Sequence, residues 1–120
     1  MKIDIIGRGK LSLLIEETLD GHKLEFFDDS IEHLKNTTES KNENVFVCIG
    51  DPKIRRKLFD FYNDRNHISV ISKNSNISSK AKISPGAIVN HFCTIGAYAE
   101  LGKSCLIHTN SNIDVGAKIG

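Results

Sequence analysis

Aliphatic side chains recur at every sixth position through the second half of the chain. Counting in sixes from Ile71 gives an unbroken series, and a small residue stands two positions before each later member. A fixed short period of this kind is the sequence mark of a solenoid. Residues two apart on a strand share a face, so the small and the aliphatic residue of each hexad are both predicted to point inward. The aliphatic series is Ile71, Ile77, Ile83, Val89, Ile95, Leu101, Ile107, Ile113 and Ile119, and the small series is Ser75, Ala81, Ala87, Cys93, Ala99, Cys105, Ser111 and Ala117.

The first half of the chain has a different pattern, in which short apolar runs alternate with helical spacing. Strands are predicted over 2–6, 23–27 and 45–49, and the last of these is apolar almost throughout, as a strand buried on both faces should be. An amphipathic helix is predicted from Leu11 to Leu19, with Gly21 just past its end. Ser30 predicts the cap of a short helix that runs to about Lys35.

A second long helix is predicted after the third strand. Asp51 stands at an N-cap position and Pro52 at the first helical position. Its buried stripe is predicted at Ile54, Leu58, Phe61 and Tyr62. The change of pattern near His67 predicts two domains, 1–67 and 68–120, and the fold class is α/β: a small Rossmann-like parallel sheet followed by a solenoid.

A glycine turn follows the first strand and carries the candidate ligand chemistry of this half. Gly7 and Gly9 stand where a tight βα turn allows a phosphate to approach the backbone at a helix N-terminus, and Lys10 adds a cation. Asp28 or Asp29, about 20 residues on, could accept hydrogen bonds from ribose hydroxyls. Taken alone the motif is weak, and a tight turn without a ligand is an equal alternative.

Composition excludes several functional classes. The 120 residues carry a net charge of +1, which gives no reason to expect nucleic acid as a partner. No apolar run approaches the roughly 18 residues of a membrane span, and no signal peptide begins the chain, so a cytoplasmic protein is expected. The three cysteines, Cys48, Cys93 and Cys105, read as buried reduced thiols without zinc-ligand spacing, and no metal is expected.

The sixfold pattern resembles the hexapeptide-repeat acyltransferases. The resemblance implies a left-handed parallel β-helix with three short strands per turn of about eighteen residues. It also implies a homotrimer and acetyl-CoA as co-substrate. A purely structural solenoid without catalysis is the alternative, because function lies in sites that are grafted on a fold.

A short Rossmann-like half in front of the coil is similar to the bacterial sugar acetyltransferases of the sialic-acid and bacillosamine type. By that resemblance the first half binds a nucleotide-linked or sialic-type sugar. The glycine turn is matched by Gly7 and Gly9, the acidic pair after the second strand by Asp28 and Asp29, and the third-strand stretch by Gly50 and Arg55. Lys10, Leu11 and Ser12 depart from the Gly-His-Gly continuation of that family.

The same resemblance implies a histidine as general base, which takes a proton from the sugar amine or hydroxyl. The phrase that surrounds this histidine is matched from Thr109 to Asp114, but Val115 stands at the histidine position. His91 lies in a similar local sequence four hexads before Val115, and His108 lies in the hexad just before that of Val115. The two histidines are predicted to lie on one side of the coil about one turn apart, with position 115 on another side. For each of them an ordinary surface histidine is the favoured interpretation.

The coil is expected to be incomplete, because Gly120 opens a new hexad and no capping segment follows it. The leading functional hypothesis is an acetyl-CoA-dependent sugar O- or N-acetyltransferase of bacterial surface-glycan synthesis, or its N-terminal part. The alternative is a non-catalytic sugar-nucleotide binding or trimeric assembly protein that has lost the catalytic base.

Overall fold

The structure is a computed structural model that describes every residue from Met1 to Gly120. The chain divides into two compact units, Met1–Ile68 and Ser69–Gly120. The first unit contains β1 (Lys2–Ile6), α1 (Ser12–Thr18), β2 (Lys23–Phe27), β3 (Asn44–Val47), α2 (Pro52–Phe61) and β4 (Asn66–His67). The second contains β5 (Val70–Ile71), β6 (Asn76–Ile77), β7 (Lys82–Ile83), β8 (Ile88–Val89), β9 (Thr94–Ile95), β10 (Glu100–Leu101), β11 (Leu106–Ile107), β12 (Asn112–Ile113) and β13 (Lys118–Ile119).

The first unit is a four-stranded parallel sheet with the order β2-β1-β3-β4. Side chains alternate across a strand, so each face of the sheet buries its own set. One face packs Ile6, Phe27, Val45 and Val47 against Leu58 of α2 and Tyr62, which directly follows that helix. On the opposite side of the same strands Ile3, Ile5 and Phe46 are also fully buried. A sheet that is buried on both faces is what near-continuous apolar strands predict.

The predicted helices of this unit are only partly correct. The N-cap at Asp51 is confirmed, since its carboxylate accepts hydrogen bonds from the amides of Lys53 and Ile54 at 2.9 and 3.1 Å. The buried stripe is wrong at two positions, because Ile54 and Phe61 are exposed, whereas Phe59 is buried.

The short helix predicted from Ser30 to Lys35 does not form. Residues 29–34 make turns, and Lys35 pairs with Phe27 as a parallel bridge. The reason lies in Asp28, whose Oδ1 accepts both the amide and the hydroxyl of Ser30, and whose amide donates to the Lys35 carbonyl at 2.9 Å. These bonds fold the segment back on β2, and such local side-chain bonds compete with helix formation.

The second unit is a parallel β-helix with three strands per turn. Its three-stranded sheets have the orders β5-β8-β11, β6-β9-β12 and β7-β10-β13, and every pairing is parallel. Partners are one full turn of three hexads apart, as in the register Ile77 to Ile95 to Ile113. The hexad period therefore becomes three flat sides around a common interior.

The interior of the coil consists of the residues that the pattern predicts. Its buried cluster alternates small and aliphatic side chains. Cys93 and Cys105 of this cluster are buried free thiols, as is Cys48 in the first unit. Ile71 and Ile119 are each 36% exposed, because at the two ends of the series another turn stacks on one side only. The cluster contains Ala87, Val89, Cys93, Ile95, Ala99, Leu101, Cys105 and Ile107.

The corners of the coil require a left-handed backbone. Phe92, Tyr98, Ser104 and Asn110 have φ angles of 57°, 64°, 58° and 63°. Asn tolerates this region, but an aromatic residue pays about 1–2 kcal/mol for it. Phe92 and Tyr98 are nevertheless 63% exposed, so no interior packing in this chain explains their size.

Neither helix of the chain has the length and apolar character needed to cross a lipid bilayer.

Candidate functional site

The carboxyl ends of the parallel strands β1, β2 and β3 meet at one edge of the sheet. The chain leaves β1 for β2 on one side and later returns to β3 on the other, so the strand order reverses beside β1. In open parallel sheets ligands bind in the crevice at such a reversal. The edge is formed by the turn after Ile6, by the segment after Phe27 and by the segment after Val47.

Gly7 is fixed by close approach of the third strand. Its φ is +114°, and a Cβ at this position would lie 2.4 Å from the carbonyl oxygen of Cys48. Its amide donates to the Phe27 carbonyl at 2.7 Å, and the Cys48 amide donates to the Ile6 carbonyl at 2.8 Å. Gly7 thus ties the ends of all three strands together, and the fold alone explains why it is glycine.

Gly9 differs from Gly7, because nothing lies within 4 Å of the Cβ that it lacks. The amides of Gly9, Lys10 and Leu11 have no hydrogen-bond acceptor in the chain, whereas those of the next three residues already donate to the carbonyls of residues 9 to 11. An open backbone with three free N–H groups suits an anion. The free donors therefore precede α1 instead of forming its first turn.

Ser12 takes the place where the Rossmann pattern has its third glycine. It is 1% exposed, and its hydroxyl donates to the Gly9 carbonyl at 2.7 Å. The substitution is accommodated because the buried hydroxyl has an acceptor within the turn.

Asp28 braces the same turn from the end of β2. Its Oδ2 accepts the Arg8 amide at 2.8 Å, while its Oδ1 accepts the amide and hydroxyl of Ser30 at 2.8 and 2.6 Å. Burial raises the pKa of Asp28, but the bonds from Ser30 and Arg8 outweigh it and leave the pKa below its ordinary value. Asp28 is thus held as a carboxylate at the edge.

Asp29 binds a different part of the chain from Asp28. Its carboxylate accepts the amide of Thr37 at 2.7 Å and the Thr37 hydroxyl at 3.1 and 3.2 Å. The acidic pair of the sequence is therefore split, with Asp28 on the glycine turn and Asp29 on the loop that leads to β3.

Arg8 is a member of this edge that the sequence analysis did not single out. Its guanidinium lies 3.9 Å from the centre of the Phe26 ring, pairs with Glu16 and donates to the Ser12 hydroxyl at 3.2 Å. It borders a cavity of about 540 Å³ whose lining is half apolar and half polar. The only sequence signal was its place between Gly7 and Gly9. The apolar lining residues are Leu24, Phe26, Ile31 and Leu34, and the polar ones are Arg8, Glu25, His33 and Lys35.

Gly50 and Arg55 lie at the third strand end. Gly50 is exposed, and no atom lies within 4 Å of its missing Cβ. Arg55 is half-buried and donates from Nη1 to the Ile49 carbonyl at 3.1 Å. The ammonium group of Lys10 is exposed and makes no hydrogen bond or ion pair. The structure thus gives Arg55 a structural partner and leaves Gly50 and Lys10 open to solvent.

The two candidate histidines differ in how firmly they are held. His91 follows β8 and His108 follows β11, and these strands are neighbours in one sheet, whereas Val115 follows β12 in another. His91 is half-buried, and its Nδ1 lies 2.6 Å from the hydroxyl of Ser72, which is 3% exposed. The imidazole of His108 is exposed and makes no hydrogen bond. The predicted placement of the three positions is therefore confirmed.

Val115 is 67% exposed on the coil surface, so it contributes nothing to the interior. A valine has no proton to exchange, and its position offers no acid–base chemistry. No three side chains of His, Cys, Asp or Glu come together in an arrangement that could hold a metal ion.

No protein-family model matches the chain. Its fold is similar to solved structures of sugar acetyltransferases. A histidine-to-alanine variant of GDP-perosamine N-acetyltransferase from Caulobacter crescentus, in complex with CoA and GDP-perosamine, matches 98% of this chain with a TM-score of 0.89 and 20% identity. The acetyltransferase domain of PglB from Neisseria gonorrhoeae, in complex with acetyl coenzyme A, matches 98% with a TM-score of 0.85 and 19% identity.

PerB from Caulobacter crescentus, in complex with CoA and GDP-perosamine, matches the same share with a TM-score of 0.85 and 21% identity. The chain spans 65 to 66% of the length of these structures. Because this likeness runs through both units, the chain has the predicted fold class, a small parallel α/β sheet followed by a left-handed parallel β-helix.

Proposed function

We propose that this chain is an acetyl-CoA-dependent sugar O- or N-acetyltransferase of bacterial surface-glycan synthesis, or the N-terminal part of one. The observation that carries the proposal is the match over 98% of the chain to a sugar N-acetyltransferase in complex with CoA and GDP-perosamine. In this proposal residues 1–67 form the Rossmann-like domain that binds the sugar or nucleotide, and 68–120 form part of the catalytic coil.

The acceptor is a nucleotide-linked or sialic-type sugar bound at the carboxyl edge of the sheet. The free amides of Gly9, Lys10 and Leu11 suit its phosphate or carboxylate, and Lys10 adds a positive charge. Asp28, a carboxylate with spare lone pairs, accepts from a sugar or ribose hydroxyl. Gly7 shapes the turn, while Gly50 keeps the third strand end open.

Arg8 and Arg55 add specificity to this edge. The cavity beside Arg8 combines apolar side chains with Arg8, His33 and Lys35, which suits a flat base linked to phosphates, although Glu25 also lines it. Arg55 is anchored on the Ile49 carbonyl and retains further N–H donors for an anion. Asp29 acts on the acceptor only indirectly, by holding the loop at Thr37.

Acetyl transfer needs a general base at the acceptor amine or hydroxyl. His91 suits this role better than His108, because its Nδ1 is held by the hydroxyl of a buried serine, Ser72. The proton leaves the attacking nitrogen or oxygen as its bond to the acetyl carbon forms, and the coenzyme A sulfur departs with the electron pair of the broken bond.

Acetyl-CoA, when bound, supplies the activated thioester. Exposed lysines on the coil fit its phosphates chemically, since Lys73 and Lys103 have no carboxylate partner. A homotrimer would set a second coil beside this one. A cytoplasmic location agrees with the three buried free thiols, because reduced cysteines persist there.

The proposal is tested by mixing the protein with acetyl-CoA and UDP- or GDP-linked amino sugars and following the released thiol. Thiol release that depends on both substrates is expected, and His91→Asn should reduce it at least 100-fold, the usual contribution of a general base. His22→Asn, at an exposed histidine of the first unit, is the control. Absence of transfer by a form with the length of the similar structures would refute the proposal.

A non-catalytic sugar-nucleotide binding or trimeric assembly protein is the second candidate, and the exposed valine at position 115 favours it. Under this alternative UDP or GDP binds in calorimetry, no thiol is released, and Val115→His creates activity. Activity that is already present and that is lost in His91→Asn or His108→Asn contradicts this alternative.

A further inference from the structure

The solvent side of α2 carries two large apolar side chains that the rest of the chain leaves half exposed. Ile54 is 50% exposed and Phe61 is 55% exposed. The opposite side of the helix buries Leu58 and Phe59, so the core already has its own contacts with α2. Neighbouring exposed apolar side chains on a regular helix are a candidate contact surface.

Ile54 and Phe61 lie on one line along this helix. Seven residues turn an α-helix through nearly two full turns, so the two side chains point in the same direction, about 10 Å apart along the axis. The Phe61 ring is also held in place, because it packs edge-on against the buried Tyr62 ring with 4.9 Å between the ring centres. A flat partner can therefore contact both side chains at once.

Two lysines share this side of α2 with the apolar pair. Lys57 lies three residues after Ile54 and four before Phe61, and Lys53 lies one turn before Lys57. Both lysines are exposed, and neither has a carboxylate partner. Together these four residues, Lys53, Ile54, Lys57 and Phe61, form the outer face of α2.

The carboxylates nearest to the outer face in sequence are engaged with other groups. Asp51 caps the helix through the amides of its first turn. Asp60 pairs with Arg56 at 3.7 Å, and Asp64 pairs with Arg65 at 3.6 Å. The ten residues of α2 carry four basic and one acidic side chain, a net charge of +3, whereas the whole chain carries +1. Positive charge is therefore concentrated on this helix.

The partner of such a face must be anionic and must also offer an apolar layer. The excess of positive charge selects an anionic surface, and the exposed apolar pair gains free energy only where water is excluded. A phosphate backbone in water would leave Ile54 and Phe61 uncovered. An anionic bilayer has phosphates at the headgroup level and acyl chains just beneath, and lysine stems can lie along the apolar layer while their ammonium groups reach the phosphates.

We propose that the outer face of α2 is a docking surface for an anionic lipid bilayer. Ile54 and Phe61 enter the boundary between headgroups and acyl chains, and Lys53 and Lys57 contact lipid phosphates. Two apolar side chains and two lysines give weak, reversible association instead of a stable anchor. Docking takes no part in acetyl transfer, so it stands or falls separately from the proposed function.

Co-sedimentation of the full chain with lipid vesicles tests the proposal. Vesicles of equal parts phosphatidylglycerol and phosphatidylcholine should bind at least about tenfold more tightly than phosphatidylcholine alone, and added salt should reduce the difference. The double variant Lys53→Gln/Lys57→Gln should weaken binding to the mixed vesicles about 25-fold, roughly fivefold for each lysine. Phe61→Ser should weaken it roughly tenfold.

Matched variants elsewhere on the surface separate this face from a general effect of charge or hydrophobicity. Lys23→Gln/Lys41→Gln removes two other exposed lysines, and Leu13→Ser removes an apolar side chain of α1 that is 62% exposed. Both should bind the mixed vesicles within about twofold of the wild type. Because all the altered side chains are exposed, every variant should keep the urea denaturation midpoint of the wild type.

Three outcomes would overturn the proposal. Equal losses in the two lysine double variants, or no loss in Phe61→Ser, would mean that attachment depends on net charge alone. Equal binding to both kinds of vesicle, or binding to neither, would exclude an anionic bilayer as the partner. Polyglutamate that binds in calorimetry to a chain without vesicle affinity, and that is lost in Lys53→Gln/Lys57→Gln, would assign the face to an acidic protein segment instead.

Discussion

The two units of this chain are held together in contrasting ways. In the coil one backbone ladder is repeated at every hexad, and the interior repeats the same pair of small and aliphatic side chains. In the sheet unit the loops depend on single side chains, such as Asp28 on the glycine turn and Asp29 on Thr37. A repeated device can be recognised by its period, whereas a single bond between distant residues leaves no pattern in the sequence.

The largest expected effect is a cavity in the repeated interior. Ile95 is 1% exposed and stands in the middle of its ladder between Ile77 and Ile113. Ile95→Ala should lower the free energy of unfolding by about 4 kcal/mol, measured by urea denaturation. The same change at the half-exposed Ile54 of α2 is the control and should cost less than about 1 kcal/mol. Equal losses would mean that the hexad interior is not a tightly packed core.

The next effect is backbone strain in the sheet unit. Gly7→Ala puts a Cβ 2.4 Å from the Cys48 carbonyl at a φ of +114°, and we expect a loss of about 3 kcal/mol in urea denaturation. Gly9→Ala has open space and should change stability by less than about 1 kcal/mol. A matching loss in Gly9→Ala would contradict the open turn that the proposed anion site requires.

A third prediction concerns a single side chain that anchors a loop. The hydroxyl of Tyr62 donates to the Thr37 carbonyl and accepts the Ser40 amide, and all three groups are buried. Tyr62→Phe leaves two backbone groups unsatisfied and should cost about 2 kcal/mol of unfolding free energy. Tyr98→Phe, at the exposed corner of the coil, should change it by less than about 0.5 kcal/mol. An unfolding free energy that is the same in Tyr62→Phe and in the wild type would show that other contacts hold this loop.

A smaller effect of opposite sign is expected at a coil corner. Phe92→Asn should stabilise the chain by about 1 kcal/mol, because Asn tolerates the left-handed backbone and Asn110 already stands at the corresponding corner one turn on. Phe61→Asn, at an exposed aromatic residue of α2, is the control and should give no gain in the same denaturation experiment. A loss of stability in Phe92→Asn would indicate that the ring is packed in the native assembly.

The pH dependence provides the last test. Burial lowers the pKa of His67, and the hydrogen bond to the Tyr62 carbonyl offsets this only in part. The unfolded chain therefore binds a proton more readily than the folded one, so stability should fall as the pH drops below the ordinary value of 6.5. His67→Gln should remove this contribution to the pH dependence of the unfolding free energy between pH 7 and 5. His33→Gln, at an exposed histidine, should retain it. The same pH dependence of unfolding free energy in the wild type and in His67→Gln would contradict the burial of His67.

Much of the first unit could be predicted from local sequence alone. Asp51 and Pro52 marked the start of α2 correctly, since a cap acts within a few residues of itself. The helix predicted from Ser30 to Lys35 was wrong because Asp28 binds Ser30 and pairs the segment with β2, a contact that depends on where the strand lies. Ile54 and Phe61 were misassigned because helical spacing gives a stripe but not the side that faces the sheet.

The candidate site shows the same division. Gly7, Gly9 and Asp28 were identified by their spacing, and the structure brings them to one edge. Arg8 was missed, since its stacking on Phe26 joins a loop to a strand that is distant in sequence.

The sequence by itself determined the coil and its inward residues, because a solenoid repeats one local rule and each turn contacts only its neighbours. The three strands per turn were implied by the family resemblance. Only the tertiary structure decided which acid holds the glycine turn and which histidine is oriented. These features depend on contacts between residues that are far apart in the chain, and the distance between such residues is set by the fold and not by their spacing in sequence.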